Sequence, residues 1–149
     1  MLQEGMDAPN FMLRCTSGRY HGLMEFFGKK IVLYFYPKDE TSGCIIEANG
    51  FKEDYISIRK KNAVIIGISP DGVQSHIIFK EKYKLPFMLL SDYNYEAAKK
   101  YDAVKKFLGF NTKKIKRITY IIDERGKIMK IFPEVNVNGH SKEILNSLL

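Results

Sequence analysis

Residues 29–70 read KKIVLYFYPKDETSGCIIEANGFKEDYISIRKKNAVIIGISP. An apolar run rich in β-branched and aromatic residues opens this stretch at 29–37 and is closed by Pro37; a second, NAVIIGISP, ends it at 62–70. Each reads as a buried strand. Between them the period changes. Ala48, Phe51, Tyr55 and Ile58 follow Cys44 at i+4, i+7, i+11 and i+14, which places them on one face of a helix predicted to run to about Lys60. Strand, helix and strand at this spacing form a βαβ unit, so the two strands are expected to be parallel and the crossover right-handed.

The pattern continues outward from this unit. DGVQSHIIFKEKYK (71–84) reads as a second helix stopped by Leu85-Pro86, and FMLLSD (87–92) as a short strand. YEAAKKYDAV (95–104) is predicted helical. KRITYIIDERGKIMKIF (116–132) reads as an antiparallel hairpin about Glu124-Arg125-Gly126. SKEILNSLL (141–149) closes the chain as a helix with Ile144, Leu145, Leu148 and Leu149 on one side. Upstream, FMLRC and a partner after TSGRYHG suggest an N-terminal strand pair. No linker or repeat divides the pattern, so residues 1–149 are expected to form one α/β domain with a central mixed sheet flanked by helices.

Composition narrows the class. With 45% hydrophobic and 28% charged residues and no low-complexity tract, the chain has the make-up of a globular domain able to bury a core. No apolar run approaches a membrane span, and MLQEGMDAPN has neither the basic nor the apolar part of a signal peptide, so a cytoplasmic location without membrane association is expected. Two cysteines, Cys15 and Cys44, are too few for a disulfide framework. They form no C-x-x-C pair, and with three scattered histidines no metal-ligand spacing appears, so no metal or other cofactor is expected. The net charge of +7 is spread along the chain apart from KKIKR at 113–117, which reads as a solvated lysine-rich surface.

Cys44 carries the chemical question. In the first turn of a helix a cysteine faces unpaired backbone N–H groups and the positive end of the macrodipole, and both favour the nucleophilic thiolate. Its register with the apolar stripe fits equally a small residue packed in the core. The preceding PKDETSG loop adds a threonine hydroxyl three residues upstream and an adjacent glycine. Local sequence alone leaves both readings open.

PKDETSGC matches the P-x-x-x-T-x-x-C pattern of the peroxiredoxins, thiol peroxidases on a thioredoxin-like fold. GMDAPNFML, IVLYFYPKDETSGCIIEANGF, KYKLPFMLLSD, KRITYIIDERGKI and VNVNGH resemble, in order, landmarks of the bacterioferritin-comigratory-protein or peroxiredoxin Q group. The resemblance covers nearly the whole chain. It implies that Cys44 is the peroxidatic cysteine, whose thiolate attacks hydrogen peroxide or an organic hydroperoxide and becomes a sulfenic acid. It further implies that Thr41 places its hydroxyl between sulfur and peroxide, that Pro37 shields the sulfur from water, and that Arg117 holds a guanidinium beside both. Arg suits that place better than Lys, since it stays protonated and offers a fixed fork of donors to the developing oxyanion. Glu47 either orients Arg117 or is simply an acid near the positive end of the helix.

The departures from the group are informative. Many members carry a resolving cysteine five residues after the peroxidatic one, where this chain has Asn49, and residues 71–84 hold no cysteine either. The proline common before the glycine is Ser42. Cys15, at the end of FMLRC, reads as a small residue closing a strand, with nothing in the sequence to activate it. The expectation is a one-cysteine peroxidase served by an external thiol reductant such as a thioredoxin-type protein. The alternatives are a thioredoxin-fold oxidoreductase acting on protein disulfides, weakened by the missing C-x-x-C, and a non-enzymatic basic module, with nucleic acid an improbable partner in the absence of a reading motif.

Overall fold

The computed structural model describes residues 1–148. Its centre is β3 (Lys30–Phe35), buried from Ile31 onward because both faces of the strand are covered. It pairs in parallel with β4 (Ala63–Ser69), Ile31 opposite Val64, as the βαβ reading requires. On its other edge it pairs antiparallel with β8 (Ile118–Ile122), Ile31 opposite Ile122. Beyond β4 come β5 (Met88–Ser91), parallel to it, and the N-terminal pair β1 (Met12–Arg14) and β2 (Tyr20–Gly22). Beyond β8 comes β9 (Ile128–Phe132). The order β2-β1-β5-β4-β3-β8-β9 is a mixed sheet of the thioredoxin-like type, with the expected N-terminal strand pair, although β2 lies within TSGRYHG and not after it.

The two faces of β3 divide the core. Ile31, Leu33 and Phe35 join Phe11, Leu13, Cys15, Tyr101 and Tyr120 on one side. Val32 and Tyr34, with Tyr36 just past the strand end, join Cys44, Ala48, Phe51, Ile58, Phe79 and Ile144 on the other. The second face is covered by α1 (Ser42–Glu53), α2 (Tyr55–Lys60), α3 (Val73–Tyr83) and α5 (His140–Ser147). In the β8–β9 turn, Gly126 sits at φ 86°, and a Cβ there would lie 2.4 Å from the Phe27 ring, so both backbone and space demand glycine.

Two predicted helices change. The helix predicted from Cys44 to Lys60 is interrupted at Asp54, whose carboxylate accepts bonds from Ser141 Oγ (2.7 Å) and Lys142 Nζ (2.5 Å) of α5. That tie joins the break to the C-terminal helix. The helix predicted over 95–104 is only α4 (Glu96–Lys100), because Asp102 takes φ 56° and turns the chain away. The chain then forms a hairpin that apolar periodicity does not reveal, β6 (Val104–Phe107) and β7 (Phe110–Ile115), a separate two-stranded sheet that carries most of the KKIKR cluster. Leu148 is buried just after α5, while Leu149, predicted on the same face, lies outside the described residues. No helix among the described residues is long and apolar enough to cross a membrane.

Candidate active site

The end of β3 delivers Tyr36, Pro37 and a four-residue loop to the start of α1, and this loop is anchored from below. Asp39, almost fully buried, accepts the Tyr36 hydroxyl (2.6 Å) on one carboxylate oxygen; the other meets Ser75 Oγ (2.8 Å) and His76 Nδ1 (2.7 Å). The second ring nitrogen of His76 lies 3.1 Å from the Leu90 carbonyl, and Asp39 N–H donates to Asp71 (2.8 Å). Asp39, Asp71 and His76 therefore gather ligand-type atoms within 4.8 Å, all engaged by the protein itself. Nothing in the sequence pattern points to this clasp, because its members come from three separate segments.

Thr41 is the N-cap residue of α1 in extended conformation, with its carbonyl accepting the first helical bond from Ile45 N–H (2.9 Å). Its hydroxyl makes no capping bond. It donates instead to the Lys38 carbonyl (2.9 Å), which leaves the hydroxyl oxygen free to accept. Cys44, the third residue of α1, is 2% exposed and in no disulfide. The backbone N–H groups of Ser42, Gly43 and Cys44 precede the first intrahelical bond and receive no side-chain cap.

Arg117 comes from the opposite direction, one residue before β8. Its Nη1 donates to Glu47 Oε1 (3.1 Å), so of the two readings the sequence left open for Glu47 the fold has the contact with Arg117. The guanidinium lies against the first turn of α1: a Cβ built on Gly43 would be 2.6 Å from Arg117 Nη2. In the sequence Gly43 is only one member of a polar loop. In the fold it lets a cation reach the helix end beside Cys44. Arg117 and Pro37 also share a cleft of about 550 Å³ with Lys105, Ile115, Lys116, Pro133, Glu134 and Val135, whose lining does not include Cys44 or Thr41.

Two further groups belong here. Glu47 is 1% exposed; burial raises its carboxyl to about 7, against the opposing pull of Arg117, and its Oε2 makes no hydrogen bond. Tyr34 Oη, also buried, makes none; burial first, then the negative charge of Glu47, Cys44 and Asp39, raises its phenol well above the ordinary value. The sequence carries one signal for Tyr34: strand alternation sets it on the same face of β3 as Cys44.

Cys15, buried directly after β1, closes that strand as the sequence suggests. It lies in the core on the other side of the sheet from Cys44. Its surroundings are not inert, since Ser17 Oγ is 3.0 Å from Sγ. Burial pushes this thiol up, but hydrogen bonds from Ser17 and His21 outweigh it and leave the thiol below its ordinary range; His21 is in turn held by Glu25 (2.5 Å).

Comparison with known proteins gives the family. The AhpC/TSA family model matches residues 5–131. The chain is 42% identical over 149 residues to a putative peroxiredoxin bcp of Coxiella burnetii, covering 99% of both, and 41% identical to peroxiredoxin Bcp of Bacillus subtilis, covering 99% of this chain and 95% of that one. It superposes with a TM-score of 0.88 on the bacterioferritin comigratory protein of Xanthomonas campestris, a structure concerned with alkyl peroxide reduction, at 31% identity over 93% of this chain and 89% of that one. These findings do not favour a disulfide oxidoreductase or a non-enzymatic module. The chain belongs to the AhpC/TSA family and, within it, to the peroxiredoxins of the Bcp and peroxiredoxin Q group, which are thiol-dependent peroxidases.

Proposed function

We propose that Cys44 is the peroxidatic cysteine and that this chain works as a one-cysteine enzyme on hydrogen peroxide and organic hydroperoxides. The Cys44 thiolate attacks the terminal peroxide oxygen, the O–O bond breaks, and sulfur becomes a sulfenic acid while water or an alcohol departs after taking up a proton. Thr41 Oγ, already donating to Lys38, is available to accept the peroxide proton. Arg117, held by Glu47, supplies fixed N–H donors as negative charge develops on the leaving oxygen. Pro37, between the end of β3 and the loop that leads to Cys44, limits water. The observation that carries this reading is the cation laid over Gly43 at the N-terminal turn that holds Cys44.

The return to thiol falls to a partner. Asn49 offers no thiol, and the mixed sheet stands between Cys44 and Cys15. An external thiol, such as that of a thioredoxin-type protein, therefore attacks the sulfenic sulfur and releases water; a second thiol then regenerates Cys44 and leaves the reductant as a disulfide. A cytoplasmic setting, where such reductants are kept reduced, suits this cycle. The test is Cys44→Ser, which is isosteric and not nucleophilic. Peroxide consumption should vanish with the far-UV dichroism unchanged, and substantial residual turnover would overturn the assignment.

A further inference from the structure

The β6–β7 hairpin is unexplained by the fold and by the peroxide chemistry. It stands apart from the main sheet, and only its base, Val104 and Ile115, is buried. At its tip Phe107, Leu108 and Phe110 are 69%, 80% and 76% exposed. The turn itself breaks a local rule. Leu108 and Gly109 both take positive φ, 51° and 81°, the two-residue hairpin turn for which Asn-Gly is the favoured pair. A leucine there is poorly suited to the backbone and is largely exposed to solvent, so folding does not account for it.

Charge is distributed around that tip in a particular way. Residues 103–122 contain Lys105, Lys106, Lys113, Lys114, Lys116 and Arg117 and no acidic residue, so this segment accounts for nearly all of the chain's net +7. The apolar side chains sit at the distal end, and the lysines lie on the two strands behind them. That ordering matches a membrane interface, with apolar tips entering the acyl boundary and lysine ammonium groups reaching the headgroup layer. A single-stranded nucleic acid calls instead for aromatic platforms spread along a basic groove.

We infer that the β6–β7 hairpin is a docking element for anionic phospholipid surfaces, inserting Phe107, Leu108 and Phe110 while the flanking lysines contact the headgroups. The contact is peripheral and needs no spanning segment, so it differs from the membrane-free expectation drawn from hydropathy alone. Lys105 and Ile115 also line the cleft shared with Pro37 and Arg117, so the base of the docking element adjoins the side of Arg117 that faces this cleft.

The test is sedimentation of the reduced protein, without peroxide, with vesicles of phosphatidylcholine containing about 30 mol% phosphatidylglycerol, and with phosphatidylcholine alone. Binding should be at least about tenfold stronger to the anionic vesicles and should weaken as salt is raised. Combining Phe107→Thr, Leu108→Asn and Phe110→Thr, which suits strands and turn and so keeps the hairpin, should reduce that binding by about tenfold or more. Because the chain has no tryptophan, Leu108→Trp provides a single reporter whose emission should shift to the blue with anionic vesicles. Absence of vesicle binding, equal binding by the tip variant, or an unshifted Trp emission would each overturn the inference. So would tip-dependent binding of a single-stranded oligonucleotide in place of vesicles. No turnover is involved, so Cys44→Ser should bind vesicles like the parent and the result is independent of the peroxidase assignment.

Discussion

Glu47 and Gly43 show how single residues set the site's electrostatics. Burial raises the Glu47 carboxyl from 4.5 to about 7, so its protonated form is the one the fold favours. The stability this group contributes is present below about pH 4.5 and is lost as pH rises through about 7, a change of about 3 kcal/mol at most. Glu47→Gln should therefore flatten the decline in urea-unfolding free energy between pH 5 and pH 8. It should also lower the peroxide rate, because an amide oxygen holds the Arg117 guanidinium less firmly than the carboxyl group with its ionised form does. Gly43→Ala separates stability from function more sharply. The methyl group meets only the far end of the Arg117 side chain, which can swing aside, and alanine favours a helix by up to about 1 kcal/mol. The variant should melt at or above the parent temperature yet react with peroxide on the order of a hundredfold more slowly, about the cost of misplacing one preorganised donor. Arg117→Met should show a similar loss in stopped-flow peroxide kinetics.

Between elements, the decisive joint is the loop from β3 to α1. Its conformation is imposed by Asp39, which gathers Tyr36, Ser75 of α3 and His76 of α3 around one buried carboxylate. Asp39→Ala strands the buried Tyr36 hydroxyl and His76 ring nitrogen, with the half-buried Ser75 hydroxyl, and should cost about 2–4 kcal/mol in chemical denaturation. Peroxide reactivity should fall with it, since Pro37 and Thr41 are positioned by that loop; an unchanged midpoint would mean that the clasp is not coupled to folding. Asp54 makes an analogous tie from the helix break to α5. Burial opposes its ionisation, but Lys142 and Ser141 prevail and hold its carboxyl below the ordinary value. Its contribution is therefore present above the ordinary carboxylate pKa and is lost as the medium becomes more acidic.

At the scale of the molecule, the mixed sheet separates the two thiols. Cys15 and Cys44 pack into cores on opposite faces, and a disulfide requires Cα atoms within about 7 Å in a suitable orientation. Under excess peroxide without reductant, Cys44 should proceed from sulfenic to sulfinic and sulfonic acid instead of being stored as an internal disulfide. Cys15→Ser should leave turnover with a small thiol nearly unchanged. Peptide mapping of the non-reduced protein decides the matter: a Cys15–Cys44 bridge at stoichiometric peroxide, required for turnover, would refute the one-cysteine cycle.

The βαβ unit, the sheet class and the segments carrying Cys44, Thr41 and Arg117 are legible in the sequence, because strand and helix periods are local and the peroxiredoxin pattern keeps its spacing along the chain. The hairpin at 104–115 is hidden there because most of its residues are exposed, so neither strand alternates between a buried and a solvent face. The break at Asp54 is invisible because its partners, Ser141 and Lys142, are distant in sequence. For the same reason only the tertiary structure reveals the Asp39 clasp, the approach of Arg117 to Gly43 and the sheet between Cys15 and Cys44. Sequence alone determined which chemical groups this protein has and which periodic elements carry them. Which of those groups meet, and which are kept apart, was decided by packing across the sheet, an interaction between residues that no local period encodes.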